Sequence, residues 1–130
     1  MCWINSILIP IVLKKPLRVY KVGTSTSLGS FISLYRDCMY YKCQTMPTVK
    51  INPVFIRHHV TIRRLSWWHD NFRIYKGYHS YLTKEAAKHM KNPYEKIGIF
   101  EIPAGATIYV NYRRKEVVST DIKYLGLLEE

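Results

Sequence analysis

Only one stretch of the chain has the pattern of an α-helix, and this limits the fold to one built mainly from strands. Residues 84–91 place Ala87 and Met90 on one helical face and lysines on the other. Thr83 precedes them as an N-cap, whose hydroxyl can accept a hydrogen bond from an amide of the first turn. Pro93 ends the pattern. We therefore predict a single clear helix at about 84–91.

The remaining segments are short and rich in β-branched and aromatic residues, which favour strands. We interpret Ser66–Asn71, which holds two tryptophans, as a loop. A chain of 130 residues has room for one hydrophobic core. The predicted fold is α+β, a single small β-rich domain with a mostly antiparallel twisted sheet. The predicted strands are residues 17–22, 54–62, 97–102, 107–112 and 116–119, with short extended pieces at 72–75 and 78–82. Residues 31–35 form either a strand or a short helix, and residues 122–128 form either a last strand or a short apolar terminus.

The N-terminal segment, residues 1–16, is nearly all apolar up to Leu13 and then turns basic. It is too short to cross a bilayer as a helix. Three interpretations remain open: a buried first strand, a short anchor on a membrane surface, or an extension ahead of a domain spanning 17–130. The first is favoured, and we expect no membrane partner.

Positive charge is concentrated in the first two thirds of the chain. The net charge is +11, and residues 1–84 carry 13 cations and two anions, whereas residues 85–130 carry seven of each. A field of this sign attracts phosphates and acidic surfaces. We expect an anionic partner, namely a nucleotide, a nucleic acid or an acidic protein. The alternative is a structural or assembly protein whose charge serves only solubility.

The densest aromatic and basic cluster is our first candidate for a ligand-binding site. Trp67 and Trp68 lie near Arg63, Arg64 and Arg73 in the sequence. Indoles stack on bases, and guanidinium groups pair with phosphates. The alternative is that one tryptophan closes the core and the other packs on an arginine.

The sequence lacks the motifs of several enzyme classes. It contains no phosphate-binding glycine loop, no nucleophile elbow and no zinc-protease histidine pair. The odd set of Cys2, Cys38 and Cys43 favours reduced thiols in the cytoplasm over disulfides. We expect no metal and no cofactor, and we favour a binding protein over an enzyme.

A group of motifs in the second half resembles small, mostly uncharacterised domains of bacteriophages and bacterial mobile elements. The motifs are a Gly-Tyr-His-Ser-Tyr strand from Gly77 to Tyr81, a Lys-Glu-Ala-Ala helix, an Ile-Pro-Ala-Gly turn and a final strand containing Ser119. The resemblance covers roughly residues 75–124, with 17–23 as the opening strand. It indicates a fold and implies no particular activity, because these domains share no common function. We expect an accessory protein in the cytoplasm, which is the host cytoplasm if a phage encodes it. His79 within this motif is a further candidate ligand-binding residue, although such a histidine more often makes one structural hydrogen bond.

The same order of elements distantly resembles ADP-ribosyltransferase-like domains. That resemblance implies that Arg18 holds a phosphate of a nicotinamide dinucleotide and that Ser80 or Tyr81 lies beside the nicotinamide. The catalytic carboxylate falls to Glu116, but the Gln/Glu-x-Glu pattern of such enzymes is missing. Without a placed carboxylate, the positive charge that develops on the ribose is not stabilised. An enzyme of this class is the alternative to a binding protein, and the missing carboxylate pattern is the reason that we rank it second.

Overall fold

The computed structural model describes residues 3–5, 9–26, 29–33, 39–74 and 76–128. Within these residues the chain forms a small, mostly antiparallel β domain with one short helix, which confirms the β-rich prediction at that level. The elements are β1 (Trp3–Asn5), β2 (Ile11–Val12), β3 (Leu17–Ser25), β4 (Phe31–Ser33), β5 (Met39–Tyr40), β6 (Val54–Ile62), β7 (Leu65–Ile74), β8 (Tyr78–Tyr81), α1 (Lys84–Met90), β9 (Lys96–Ile102), β10 (Thr107–Asn111), β11 (Glu116–Ser119) and β12 (Lys123–Leu127).

The strands form two sheets. The larger has the order β12-β9-β3-β8-β11-β10-β2, and β4 and β5 extend it from β3. The smaller has the order β1-β7-β6. The two described parts of residues 1–16 therefore lie in different sheets, because residues 3–5 pair with β7 and residues 11–12 pair with β10.

Aromatic rings fill the core on one face of the larger sheet. The fully buried Phe100 lies edge-on to Phe31 at 5.4 Å and to Tyr40 at 4.9 Å between ring centroids. Tyr124 of β12 packs on the same ring at 5.0 Å. The chain after β5 then hydrogen-bonds back to β12, where the Cys43 amide donates to the Tyr124 carbonyl at 2.8 Å. β4, β5 and residues 41–49 thus cover this face of the sheet.

The helix covers the opposite face. Thr83 is its N-cap, and its Oγ1 accepts a hydrogen bond from the Ala86 amide at 3.2 Å, as the sequence predicts. Ala87 is fully buried and packs against Val22 of β3 and Ile97 of β9. Helix α1 ends at Met90, one residue before the predicted boundary. None of the described residues form a helix long and apolar enough to cross a lipid bilayer.

A buried lysine bridges a split between two neighbouring strands. β3 and β8 pair only at Tyr20 and Tyr81. Beyond that point the Lys21 side chain, only 3 % exposed, donates a hydrogen bond from Nζ to the His79 carbonyl. Its ammonium also lies over the Tyr40 ring, 5.3 Å from the centroid, where the negative face of the ring attracts a cation. Lys21 therefore satisfies a strand carbonyl that the interrupted ladder leaves unpaired.

The smaller sheet is dominated by a long hairpin. β6 and β7 pair without interruption from Val54–Arg73 to Ile62–Leu65. The loop interpretation of Ser66–Asn71 is therefore wrong, since these residues belong to β7. The segment contains no glycine or proline, and its aromatic residues favour an extended chain once β6 supplies a partner strand. The hairpin is attached at its base, where Ile74 is buried against Val118.

Candidate functional site

The turn of the hairpin consists of two exposed arginines in an unusual backbone conformation. Arg63 and Arg64 have φ angles of 49° and 69°, both in the left-handed region. A two-residue turn of this kind matches the twist of its strands, but it favours asparagine and glycine because a Cβ atom is crowded there. Each residue with a side chain costs roughly 1–2 kcal/mol in this conformation. The turn therefore has a conformational free-energy cost that asparagine and glycine would avoid, and such strain concentrates at functional sites.

The predicted aromatic and basic cluster is spread along the hairpin. Trp67 pairs with Val60 and Trp68 with His59, three to four residues from the tip. The side chains of both tryptophans lie outside the described part of the structure. Arg73 lies at the base, where it pairs with both β6 and β1, and an extended strand places it about 30 Å from Arg64. The structure thus keeps Arg63 and Arg64 together and separates Arg73 from them.

The hairpin is basic over its whole length. Between residues 54 and 74 the sequence has four arginines and one acid, Asp70. Arg57, Arg63 and Arg64 are all exposed. A narrow ribbon that carries cations from base to tip can place several of them along one polyanion.

Arg18 lies in a different place, at an open groove of about 450 Å³. Lys42 is its second cation, and the groove also contains Ser25, Thr26 and the bulged strand at Gly126. Among the residues that the structure describes, no acidic side chain lines it. The groove can accommodate a small anion, but it does not include any residue of the hairpin.

The residues of the transferase-like alternative come together only in part. Tyr20, Tyr81 and Glu116 form a row of Cα partners across β3, β8 and β11, so their side chains share one face of the sheet. Arg18 lies two residues from Tyr20 and projects to the same face. Ser80 projects to the opposite face, where its buried Oγ has no hydrogen-bond partner. Tyr81 and Glu116 are therefore neighbours, and Ser80 lies on the other side of the sheet.

Burial changes the acid–base properties of this pair. The pKa of Glu116 is raised, because desolvation outweighs the opposing effect of Arg114, whose Nε lies 3.3 Å from Oε1. The pKa of Tyr81 is also raised, first by burial and then by the charge of Glu116. The pair is a half-buried carboxyl beside a phenol, and the pKa of each group is raised above its ordinary value.

The raised pKa of Glu116 predicts a pH dependence of stability. The folded protein holds this proton more tightly than the unfolded chain, so its contribution to the free energy of unfolding falls as pH rises from about 4.5 through the higher folded pKa. In the Glu116→Gln variant this fall is absent. Urea titrations of both proteins from pH 4 to 7 test this, and parallel pH profiles would contradict it.

His79 contributes to the fold through its backbone carbonyl, which accepts the Lys21 hydrogen bond. Its Cα partner on β11 is Val118, and its side chain is half-buried. The structure does not bring His79 into the hairpin or into the Arg18 groove.

A second groove, of about 770 Å³, was not anticipated from the sequence. Its polar wall is held together by Asp121, whose carboxylate accepts hydrogen bonds from the Thr48 and Thr120 hydroxyls, each at 2.6 Å. Thr120 in turn accepts the Thr107 amide at 3.1 Å. Asp121 therefore links the segment after β5 to the loop between β11 and β12, an arrangement that only the tertiary fold creates.

The described residues contain no group of three His, Cys, Asp or Glu side chains placed to hold a metal ion. No protein-family model, curated protein or solved structure matches the chain.

Proposed function

We propose that the protein binds nucleic acid without catalysis and that hairpin β6–β7 is the binding element. The observation that carries the proposal is the pair of exposed arginines held in the left-handed conformation at the tip. Asparagine and glycine adopt this turn at a lower conformational cost, so we attribute the two arginines to a contact with the ligand. Guanidinium groups form paired hydrogen bonds with phosphates and with the edge of guanine.

The shape of the hairpin supports a duplex as the ligand. Its nine residue pairs span about 30 Å. A two-stranded ribbon is narrow enough to lie in a groove of B-form DNA. The three exposed arginines of the hairpin, Arg57, Arg63 and Arg64, are then available to the phosphates, which supply most of the affinity in such complexes.

A nucleic acid also accounts for the concentration of positive charge in residues 1–84 better than a small anion does, because a long polyanion contacts many cations at once.

Salt dependence is the first test of this function. If the three exposed hairpin arginines contact phosphates, duplex affinity falls by about 40-fold between 50 and 200 mM salt, because each neutralised phosphate releases counterions. The measurement is the fluorescence anisotropy of a labelled 20-base-pair duplex, with a single strand of the same length beside it. Absence of duplex binding at 50 mM salt would contradict the proposal, as would an affinity that ignores salt.

A further inference from the structure

The last residue pair before the hairpin turn is apolar and exposed. Ile62 and Leu65 are Cα partners, so their side chains project side by side from one face of the ribbon. Ile62 is 55 % exposed and Leu65 is 69 % exposed. Leu65 is more exposed than any other aliphatic side chain for which the structure describes burial.

The fold does not use this apolar pair. The hydrophobic clusters formed by the described residues contain neither side chain, and the hairpin meets the larger sheet at its other end, through Ile74. Threonine at both positions would keep the strand propensity without exposing an apolar surface. A contact made outside the protein therefore accounts for the choice of isoleucine and leucine.

The surroundings of the pair indicate what that contact is. Arg63 and Arg64 lie directly beside it in the turn, whereas the next pair, Thr61 and Ser66, belongs to the opposite face of the ribbon. An apolar pair at the end of a ribbon two strands wide is narrow for insertion into a lipid surface, which rewards a broad apolar face. It matches the wedges that enter a base step of duplex DNA while neighbouring arginines bind the groove and the phosphates.

We propose that Ile62 and Leu65 form a wedge that inserts between two base pairs and bends the duplex. This inference rests on the proposed nucleic-acid function. The duplex loses stacking at one step, and the bend brings more phosphates within reach of the arginines on the ribbon.

The test measures bending separately from binding. A duplex of about 20 base pairs carries a donor and an acceptor at its two ends, and energy transfer is recorded at saturating protein. The wild-type protein raises the transfer efficiency, as a bend of roughly 20–90° requires. The Ile62→Thr/Leu65→Thr variant binds about 3- to 10-fold more weakly and leaves the transfer efficiency near that of free duplex, since its arginines still contact the phosphates. Val12→Thr is the matched control, an exposed apolar strand residue outside the hairpin, and it bends the duplex as the wild type does.

The possible outcomes distinguish the wedge from the proposed nucleic-acid binding. A wild-type protein that binds the duplex and leaves it straight overturns the wedge and keeps the proposed function, and so does a double-threonine variant that bends DNA fully. A wild-type protein that binds no duplex overturns both. Vesicles of phosphatidylcholine and phosphatidylserine form the last arm. Binding to them that is lost in the double-threonine variant, with the duplex straight, assigns the tip to a lipid surface and overturns the wedge.

Discussion

The Gly23→Ala variant is expected to lose about 4 kcal/mol of unfolding free energy, which is most of the stability of a small domain. A methyl group at this position would lie 2.1 Å from the Ile32 carbonyl oxygen and 2.8 Å from the Phe31 ring. The oxygen belongs to the backbone of β4, so no side-chain rotation relieves the overlap. β4 would have to leave β3, and Phe31 would then lose its place against Phe100.

Urea denaturation followed by circular dichroism measures this loss. Gly105→Ala is the matched control, because nothing lies within 4 Å of its added methyl group and only its φ of +89° opposes the change. We expect it to cost about 1–2 kcal/mol. Equal urea midpoints for Gly23→Ala and the wild type would show that the backbone of β4 does not lie this close to Gly23.

The second large effect concerns the tip. Replacing Arg63 with asparagine and Arg64 with glycine is expected to lower duplex affinity on the order of 100-fold, since two charged contacts of about 1.4 kcal/mol each are lost. The slope of log affinity against log salt becomes shallower by about two. The same change stabilises the turn, because asparagine and glycine accept positive φ.

The variant is therefore expected to stabilise the hairpin while it weakens duplex binding. Amide exchange across β6 and β7 slows by about fivefold, equivalent to about 1 kcal/mol of local stability. A tip selected for its own folding would lose stability on this change. Faster exchange together with unchanged affinity would contradict both the strain and the role in binding.

Local patterns in the sequence predict some elements well and others poorly. The helix follows from Thr83, Ala87 and Pro93, which act within one or two turns of the chain. β6 and β9 follow from runs of β-branched and aromatic residues within single segments. The hairpin turn has no such signal, because its short-range marker is Asn-Gly and the sequence has Arg63–Arg64 instead.

Other features depend on contacts between distant parts of the chain. Gly23 follows the predicted strand 17–22, and its close contact with the Ile32 carbonyl oxygen arises only because β4 pairs with β3 in the folded protein. Lys21 alternates as an exposed strand residue would, yet the split between β3 and β8 buries it. Of the predicted binding residues, the sequence correctly groups Arg63 with Arg64, because they are adjacent. The sequence wrongly groups these two arginines with Arg73, because it does not show that the intervening residues form an extended strand.

The central claim is that the hairpin tip, and not positive charge in general, binds nucleic acid. The most direct measurement titrates one labelled duplex with the wild type, with Arg63→Asn/Arg64→Gly and with Arg113→Asn/Lys115→Gly. The last variant also removes two exposed cations from a hairpin turn, at β10–β11, where Lys115 has a φ of 56°. We predict that the tip variant alone loses about 100-fold in affinity and that the β10–β11 variant stays within about threefold of the wild type. Equal losses in the two variants would contradict the claim and assign binding to overall charge.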